Sequence, residues 1–426
     1  MNKDIKAVIL AAGKGTRMKS ETIKVLHEIF GKTVLGYVLD SVKNIANQSI
    51  VIVGHKADTV TDFVEANYTN VETVLQSPQL GTGHAVSMAC PKLKDFDGEV
   101  VILNGDIPLI TEKTVKAFIE FHNSNNSDLT VMSAVLDEPA SYGRIIREND
   151  NSLKAIVEAK DATPEQKAVK EVNVGVYCLN WTKIKDAFCQ LTSNNAQGEY
   201  YLTDIVSWAK KQGLNVNAYI MENSEEMNGI NSRQDLAFAT KLMNERKLHD
   251  LMVEGVTIVD PSSTWISEDT EIGADTIVYP STYIEGKNKI GKNCKIGPCA
   301  HLRGGVEVED NCKIGNFVEI KKAKIGHNTN AGHLSYIGDA ELGSHINIGA
   351  GTITANYDPI SKKKSKTILK DNVKIGSNTV LVAPVEIGEG TNVGAGSVIT
   401  KNIGEWALAI TRAPLRIIEE WVTKRR

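Results

Sequence analysis

The feature that most restricts what this chain can fold into is a hexapeptide texture in its second half. An aliphatic residue followed by glycine returns about every sixth position, as at Ile272-Gly273, Ile290-Gly291, Ile296-Gly297, Ile314-Gly315, Ile325-Gly326, Ile337-Gly338, Ile348-Gly349, Ile375-Gly376, Ile387-Gly388 and Val393-Gly394. Repetition at a fixed period is the mark of a solenoid. With about six residues to each flat side and three sides to each coil, the aliphatic residue points into a triangular prism and the small residue lets the chain turn. The expectation is a parallel β-helix. Scattered Ile-Gly pairs in a β-sandwich would not hold the phase over so long a stretch. The phase breaks near Ala323 and between Thr354 and Asp371, so both places are expected to be loops, which on a rigid scaffold is where function concentrates.

The first half has another rhythm. Up to about Ile230, β-branched runs at Ala7 to Leu10, Ile50 to Val53, Val100 to Leu103 and Leu129 to Ala134 alternate with helical stretches. That alternation predicts an α/β domain with a mainly parallel, Rossmann-like sheet. From Asp235 to Leu251 apolar residues three and four apart predict a connecting helix. The division expected is 1–230, a helical linker at 231–252, and a β-helix at 253–426. With 426 residues and a formal charge of -4, two or three soluble domains fit, and no bulk attraction to nucleic acid follows. The mixed charges of the opening MNKDIKAVILAAG read as a first strand rather than a signal peptide. No run of about 18 uncharged apolar residues offers a membrane span. The six cysteines form no Cys-x-x-Cys pair, which argues against a zinc site or a disulfide framework and for a reduced cytoplasm.

Two places carry chemistry. Leu10 to Met18 follows the first predicted strand as a glycine-rich turn able to wrap N–H groups around phosphate. Met18 stands where a dinucleotide fingerprint needs its third glycine, and Walker spacing is absent. Lys14, Arg17 and Lys24 add three cations, which suits a triphosphate. Gln76, Gln79 and Gly81 to Gly83 offer groups that can read a uracil edge, although alone they are also an ordinary polar loop. Asp106, after an apolar strand, is a magnesium-ligand candidate at the carboxyl end of the sheet; the competing reading makes it an N-cap for a helix beginning near Thr111. On the solenoid, Arg303, Lys321, His333, Tyr336, Asn347, Asn356, Tyr357 and Lys364 break the small-and-aliphatic rule. Any one of them alone would be a solvated side chain.

Taken in order, LAAGKGTRM, KVLH, QLGTGHA, NGDIPLI, YGRI, IVEAKDAT and EVNVG, then AGHLSY and NYDP, resemble the bifunctional N-acetylglucosamine-1-phosphate uridyltransferase/glucosamine-1-phosphate acetyltransferase family over nearly the whole chain. The resemblance implies a homotrimer whose β-helix is left-handed and whose acetyl sites lie between subunits. It implies UTP held by Leu10, Ala11, Ala12, Gly13, Arg17, Lys24, Gln76, Gly81 and Thr82. The sugar phosphate would meet Gly143, Glu158, Asn173 and Asn231, with Mg2+ on Asp106 and Asn231. In the second half it implies His333 as general base, which suits histidine's near-neutral pKa. Arg303, Lys321, Tyr336, Asn347 and Lys364 would bind the acetyl acceptor, and Ala350, Asn356, Tyr357, Ser377, Ala395 and Arg412 acetyl-CoA. Three departures stand out. Ile23 replaces the family's proline before Lys24, which predicts a less rigid turn. The segment after Pro359 is slightly long, so Lys363 or Lys366 competes with Lys364. The stretch from Val253 to His301 is short, as though about two coils were missing near Lys287; losing whole coils preserves phase. Two rival readings are a pyrophosphorylase for another sugar carrying an inert β-helix, and a non-catalytic subunit like those of translation-factor exchange complexes. The His333, Tyr336 and Asn356 set argues against the first, and the presence of Arg17, Lys24 and Asp106 against the second.

Overall fold

The computed structural model describes residues 4–149 and 151–425; the predicted outer boundaries at residue 1 and Arg426 lie outside the described residues. The chain forms two compact units, Met1–Thr240 and Lys241–Arg426.

In the first unit the strands are β1 (Ile5–Leu10), β2 (Gln48–Val53), β3 (Val71–Leu75), β4 (Glu99–Asn104), β5 (Leu129–Val135), β6 (Arg144–Arg147), β7 (Leu153–Val157), β8 (Glu171–Asn180) and β9 (Val216–Ile220); β1, β2, β4 and β5 are the four predicted from sequence, and the other five are not. Their order is β9-β5-β8-β4-β1-β2-β3. The sheet is mainly parallel, as the β-strand and helix alternation predicts, but β8 runs antiparallel to both β4 and β5. β6 and β7 form a hairpin joined to β8. β4 is buried along all but its last residue and β1 at Ala7, Val8 and Ile9, as expected of central strands covered on both faces. Helices α1 (Val34–Val42), α2 (Ala57–Asn67), α3 (Thr82–Ser87) and α4 (Glu112–Ser124) alternate with the early strands. α4 is capped by the side chain of Thr111, which accepts from the Thr114 N–H. Asp106 is therefore not that cap.

The connecting helix runs Arg233–Val253, and the division between units falls inside it. Its later residues are part of the second unit. Leu248 and Leu251 are buried in the prism's core, and Asn244 donates to the Thr264 carbonyl while accepting from the Ile266 N–H. This covers the first coil, as the open end of a solenoid requires.

The second unit is a left-handed parallel β-helix. One face stacks Thr257–Ile258, Ile277–Val278, Lys295–Ile296, Lys313–Asn316 and their successors to Leu408–Ala409. A second carries Tyr283–Glu285, His301–Arg303, Glu319 and Tyr336, and a third Glu271–Ile272, Asn288–Ile290 and Val306–Val308. The repeated aliphatics fill the axis: Ile284, Ile296, Leu302, Ile314, Ile320 and Leu381 are fully buried. Among the described residues, which include all six cysteines, there is no disulfide.

The expected loop at Ala323 is not one. Coils advance by 18 residues from Lys295 to Lys313 and by 17 from Asn330 to Asn347. The residue dropped at the corner lets Glu319–Ile325 continue as a single strand from the second face to the third, with Ala323 buried inside it. A shortened side reads in sequence like an interruption, but in space it is a tighter corner. The second break is a loop, closed by a bridge between Tyr357 and Lys364. Near Lys287 the chain passes directly from Glu285 to Asn288 with the prism uninterrupted.

Candidate active sites

The first site lies at the carboxyl ends of β1 and β4. Leu10, Ala11, Ala12 and Gly13 line a cleft of about 380 Å³ together with Lys24, Gln76, Gln79, Gly81, Thr82, Asn104 and Asp106. Two glycines have positional reasons. A Cβ on Gly15, at φ +59°, would come within 2.6 Å of the Lys24 Cβ, so glycine is what allows the lysine turn to lie against the loop. A Cβ on Gly81, at φ +113°, would stand 2.7 Å from the Tyr200 carbonyl. The segment at Tyr200 is bonded there: Gly83 N–H donates to the Tyr200 carbonyl, and Leu202 N–H donates to the Thr82 hydroxyl at 3.1 Å. Gln76 is buried and donates to the Gly81 carbonyl at 3.0 Å. Arg17 and Lys14 are exposed and do not line the cleft.

Lys24 sits in a one-turn helix, Lys24–Leu26, whose preceding residue Ile23 has φ −62° and is buried. That angle is the one a proline ring would impose, so here side-chain packing keeps the turn in the conformation expected to loosen. The ammonium of Lys24 meets Asp106 at 2.6 Å and the Asn231 amide oxygen at 3.2 Å. Both backbones are fixed: Ile230 N–H donates to the Asp106 carbonyl, and Asp235 accepts from the N–H groups of Asn231 and Ser232. Two hard oxygen donors thus converge on one cation position, the donor chemistry that suits Mg2+.

Gly143, Glu158 and Asn173 also come together. Asn173 N–H donates to the Gly143 carbonyl, and a Cβ on Gly143 would lie 3.4 Å from the Glu158 carboxylate. The β8 register shifts between Asn173 and Tyr177. This bulge, with Gly175 at φ +83°, aims Asn173 so that its amide donates to the Tyr177 hydroxyl. Bulges are commonly used in this way to redirect a side chain beside a site. Burial pushes the Glu158 carboxyl above the usual carboxylate range, with Asp161, Asp204 and Glu199 adding repulsion. Asp204 is raised as well, first by burial and then by Asp161.

On the prism the candidates separate into two groups. His333 pairs with Asn316 of the preceding coil and is exposed at the corner between the first and second faces. Continuing the registers of Asn330 with Asn347, Asn347 with Lys374 and Lys374 with Asn392 places Ala350, Ser377 and Ala395 above it on successive coils. Asn378 N–H donates to the Ala350 carbonyl and Gly396 N–H to that of Ser377. Arg412 lies against Gly396, 3.7 Å from where a Cβ would stand. The second group occupies the second face and its far corner. Arg303 contacts Glu319 at 2.8 Å and Glu285 at 3.6 Å, Lys321 is in register with Gly338, and Asn356 donates to the Tyr336 hydroxyl at 3.5 Å and to Asp339. Asn347 is on the first face, away from Tyr336, and Lys364 is on the exposed loop with Tyr357. Lys366 is taken up by Glu341 at 2.5 Å.

A family model for the MobA-like NTP transferase domain matches residues 7–167, and one for the bacterial transferase hexapeptide matches 289–322 and 366–401. "Bifunctional protein GlmU" of Acetivibrio thermocellus is 45% identical over 453 aligned positions, covering 98% of this chain and 97% of that protein. The chain belongs to the GlmU family. The proteins of the same name from Alkaliphilus metalliredigens and Clostridium novyi are 42% and 43% identical, each covering 98% or more of both chains. Among solved structures HddC from Yersinia pseudotuberculosis covers 56% of this chain at 24% identity with a TM-score of 0.42, too slight a likeness to support any step here.

As a GlmU protein the chain joins the two transferase activities of UDP-N-acetylglucosamine synthesis, acetyl transfer and uridylyl transfer. An alignment of 453 positions exceeds the chain's 426 residues, so that GlmU relative carries residues this chain lacks. Several groups that line or touch the candidate sites were not singled out from sequence: Asn104, Tyr200, Tyr177, Thr203, Asp204, Asp235 and Asp339. Asn104 opens the NGD motif, so its signal is local to the sequence. Tyr177 and Asp235 meet Asn173 and Asn231 four positions away through a bulge and a helix start, whereas Tyr200, Thr203 and Asp204 owe their place to contacts between segments far apart in the chain.

Proposed function

We propose that the first unit transfers uridylyl from UTP to N-acetylglucosamine-1-phosphate in the cleft between β1 and β4, using the residues named for it above. The observation that carries this reading is the convergence of Asp106 and Asn231 oxygens on one cation position beside the glycine-rich turn. Mg2+ held there supplies charge neutralisation at the triphosphate. Arg17 and Lys24 hold phosphate oxygens, Gln76, Gly81 and Thr82 hold the uridine, and Gly143, Glu158 and Asn173 orient the sugar. The sugar phosphate then attacks the α-phosphorus in line and pyrophosphate leaves. Positioning and electrostatics suffice, with no protein nucleophile.

On the second unit, His333 takes a proton from the amine of glucosamine-1-phosphate as that nitrogen attacks the acetyl-CoA thioester. The edge formed by Ala350, Ser377, Ala395 and Arg412 offers coenzyme A a shallow track past small side chains. Arg303, Lys321 and Lys364 suit the sugar phosphate, and Tyr336 and Asn347 the sugar. One chain splits this set between an edge and two faces, which supports a homotrimer with each acetyl site completed by a neighbouring copy. Among the described residues no helix is long and apolar enough to cross a membrane, and six cysteines without a disulfide support a cytoplasmic setting.

Incubation with glucosamine-1-phosphate, acetyl-CoA, UTP and Mg2+ should yield UDP-N-acetylglucosamine. Omitting acetyl-CoA should stop it at the first substrate, and omitting UTP or Mg2+ at the acetylated sugar phosphate. Product formed without acetyl-CoA, or free CoA without any uridylyl product in the complete mixture, contradicts the assignment.

A further inference from the structure

Lys24 stands in an unusual place for a residue read as a phosphate ligand. Its side chain is 13% exposed and its partner Asp106 21% exposed, so the pair is largely withdrawn from water. The ammonium occupies the point where the carboxylate of Asp106 and the amide oxygen of Asn231 meet, 2.6 Å from one and 3.2 Å from the other. Nothing in the backbone obliges this. The turn Lys24–Leu26 is held by Ile23 packing and by the close approach of Gly15, contacts that fix the backbone of Lys24, while the four-carbon stem beyond them turns about rotatable bonds. The other direction open to it is the cleft lined by Leu10 to Gly13.

An ammonium and a divalent ion cannot share the same two oxygens, because their charges repel at contact distance in a part-buried site. Removing the ammonium without giving it another anion leaves a buried cation unpaired, which is costly. We propose that Lys24 is an internal counter-ion that holds the cation position between Asp106 and Asn231, and yields it to the divalent metal when a nucleotide provides phosphates to receive the ammonium. This rests on the reading of Asp106 and Asn231 as metal donors. Metal and nucleotide binding are then coupled through one side chain, and such coupling is reciprocal. The ligand-free protein keeps a low affinity for divalent ions in spite of its preformed donor pair.

The test uses Mn2+ alone with the full-length, nucleotide-free protein, following free Mn2+ by its electron paramagnetic resonance signal. Lys24→Met should bind Mn2+ about five- to tenfold more tightly than wild type, the release expected when a part-buried ion pair of about 1 kcal/mol no longer competes. Lys24→Arg, which keeps a cation, should stay near wild type. Asp106→Asn and the double variant Lys24→Met/Asp106→Asn should both lose the site. Thermal melts confirm that each variant is folded. If Lys24→Met binds no more tightly while Asp106→Asn still abolishes binding, the counter-ion role is wrong and the metal site stands. If Asp106→Asn binds Mn2+ as wild type does, the metal site itself is misassigned and the proposal falls with it.

Discussion

Asp106 and His333 sit in different units and touch none of the same residues, so their substitutions should separate the two reactions. Asp106→Asn removes charge from the metal position and should suppress pyrophosphate release from UTP while CoA release continues. His333→Ala should lower acetyl transfer by roughly a hundred- to ten-thousand-fold, as loss of a general base does, with uridylyl transfer from supplied N-acetylglucosamine-1-phosphate unchanged. Assaying both activities on each purified variant checks the pair. Equal loss of both in a folded variant would refute independent sites. Glu158 makes a different prediction. Its carboxyl is raised chiefly by burial, so the folded state favours the protonated form and, at neutral pH, bears the cost of an ionised one. Glu158→Gln should raise stability at pH 7 by on the order of 1 kcal/mol while weakening sugar binding. The gain should shrink as pH falls through the raised folded value towards the ordinary range near about 4.3, where wild type is protonated in both states. A gain in melting temperature that does not change with pH would refute this origin.

At the scale of elements, coil spacing sets the tolerance of the β-helix. A Cβ on Gly315 would stand 1.9 Å from the Gly332 carbonyl of the next coil, directly beneath the strand that carries His333. Gly315→Ala should therefore destabilise the second unit by about 1–3 kcal/mol, the usual range for overpacking, and impair acetyl transfer while sparing uridylyl transfer. Chemical denaturation alongside both assays tests it; unchanged stability would mean that the coils separate more easily than their backbone hydrogen bonds imply. The strands of the first unit show the complementary case. β1, β2, β4 and β5 follow from apolar runs, since a strand covered on both faces must be apolar throughout. The reversal of β8 does not follow, because its composition is the same whichever way it runs and only its neighbours fix its direction.

For the whole molecule the decisive observation is how the acetyl-transfer candidates divide. His333, Ala350, Ser377, Ala395 and Arg412 follow one edge, Tyr336 and Asn356 share a face, and Asn347 stands on another. A rigid prism cannot fold these onto one pocket. If acetyl sites are completed by neighbouring copies, as proposed above, mixing inactive His333→Ala chains with inactive Arg412→Ala chains, then unfolding and refolding them together, should restore part of the acetyl transfer through mixed trimers that hold some intact sites. No recovery, with mixed trimers confirmed by mass, would mean that one chain supplies the whole site.

The sequence by itself determined both architectures, because each rests on a local rule. Six-residue periodicity can only be satisfied by a prism with its aliphatics inside, and alternating strands and helices by a covered parallel sheet. It also marked the glycine-rich turn, Asp106 and His333, whose chemistry is carried by the residue type. What it could not decide depends on distance in space rather than along the chain. That Ala323 turns a corner inside a strand, that Ile23 holds a proline-like angle by packing, and that Asn347 and Tyr336 face different ways all follow from register between coils or contacts between segments. The position of Lys24 between Asp106 and Asn231 is the clearest instance. Three residues spread over more than 200 positions of chain meet only because the sheet brings a loop, a strand end and the approach to a helix to one point, and only there does a single charge decide what else can bind.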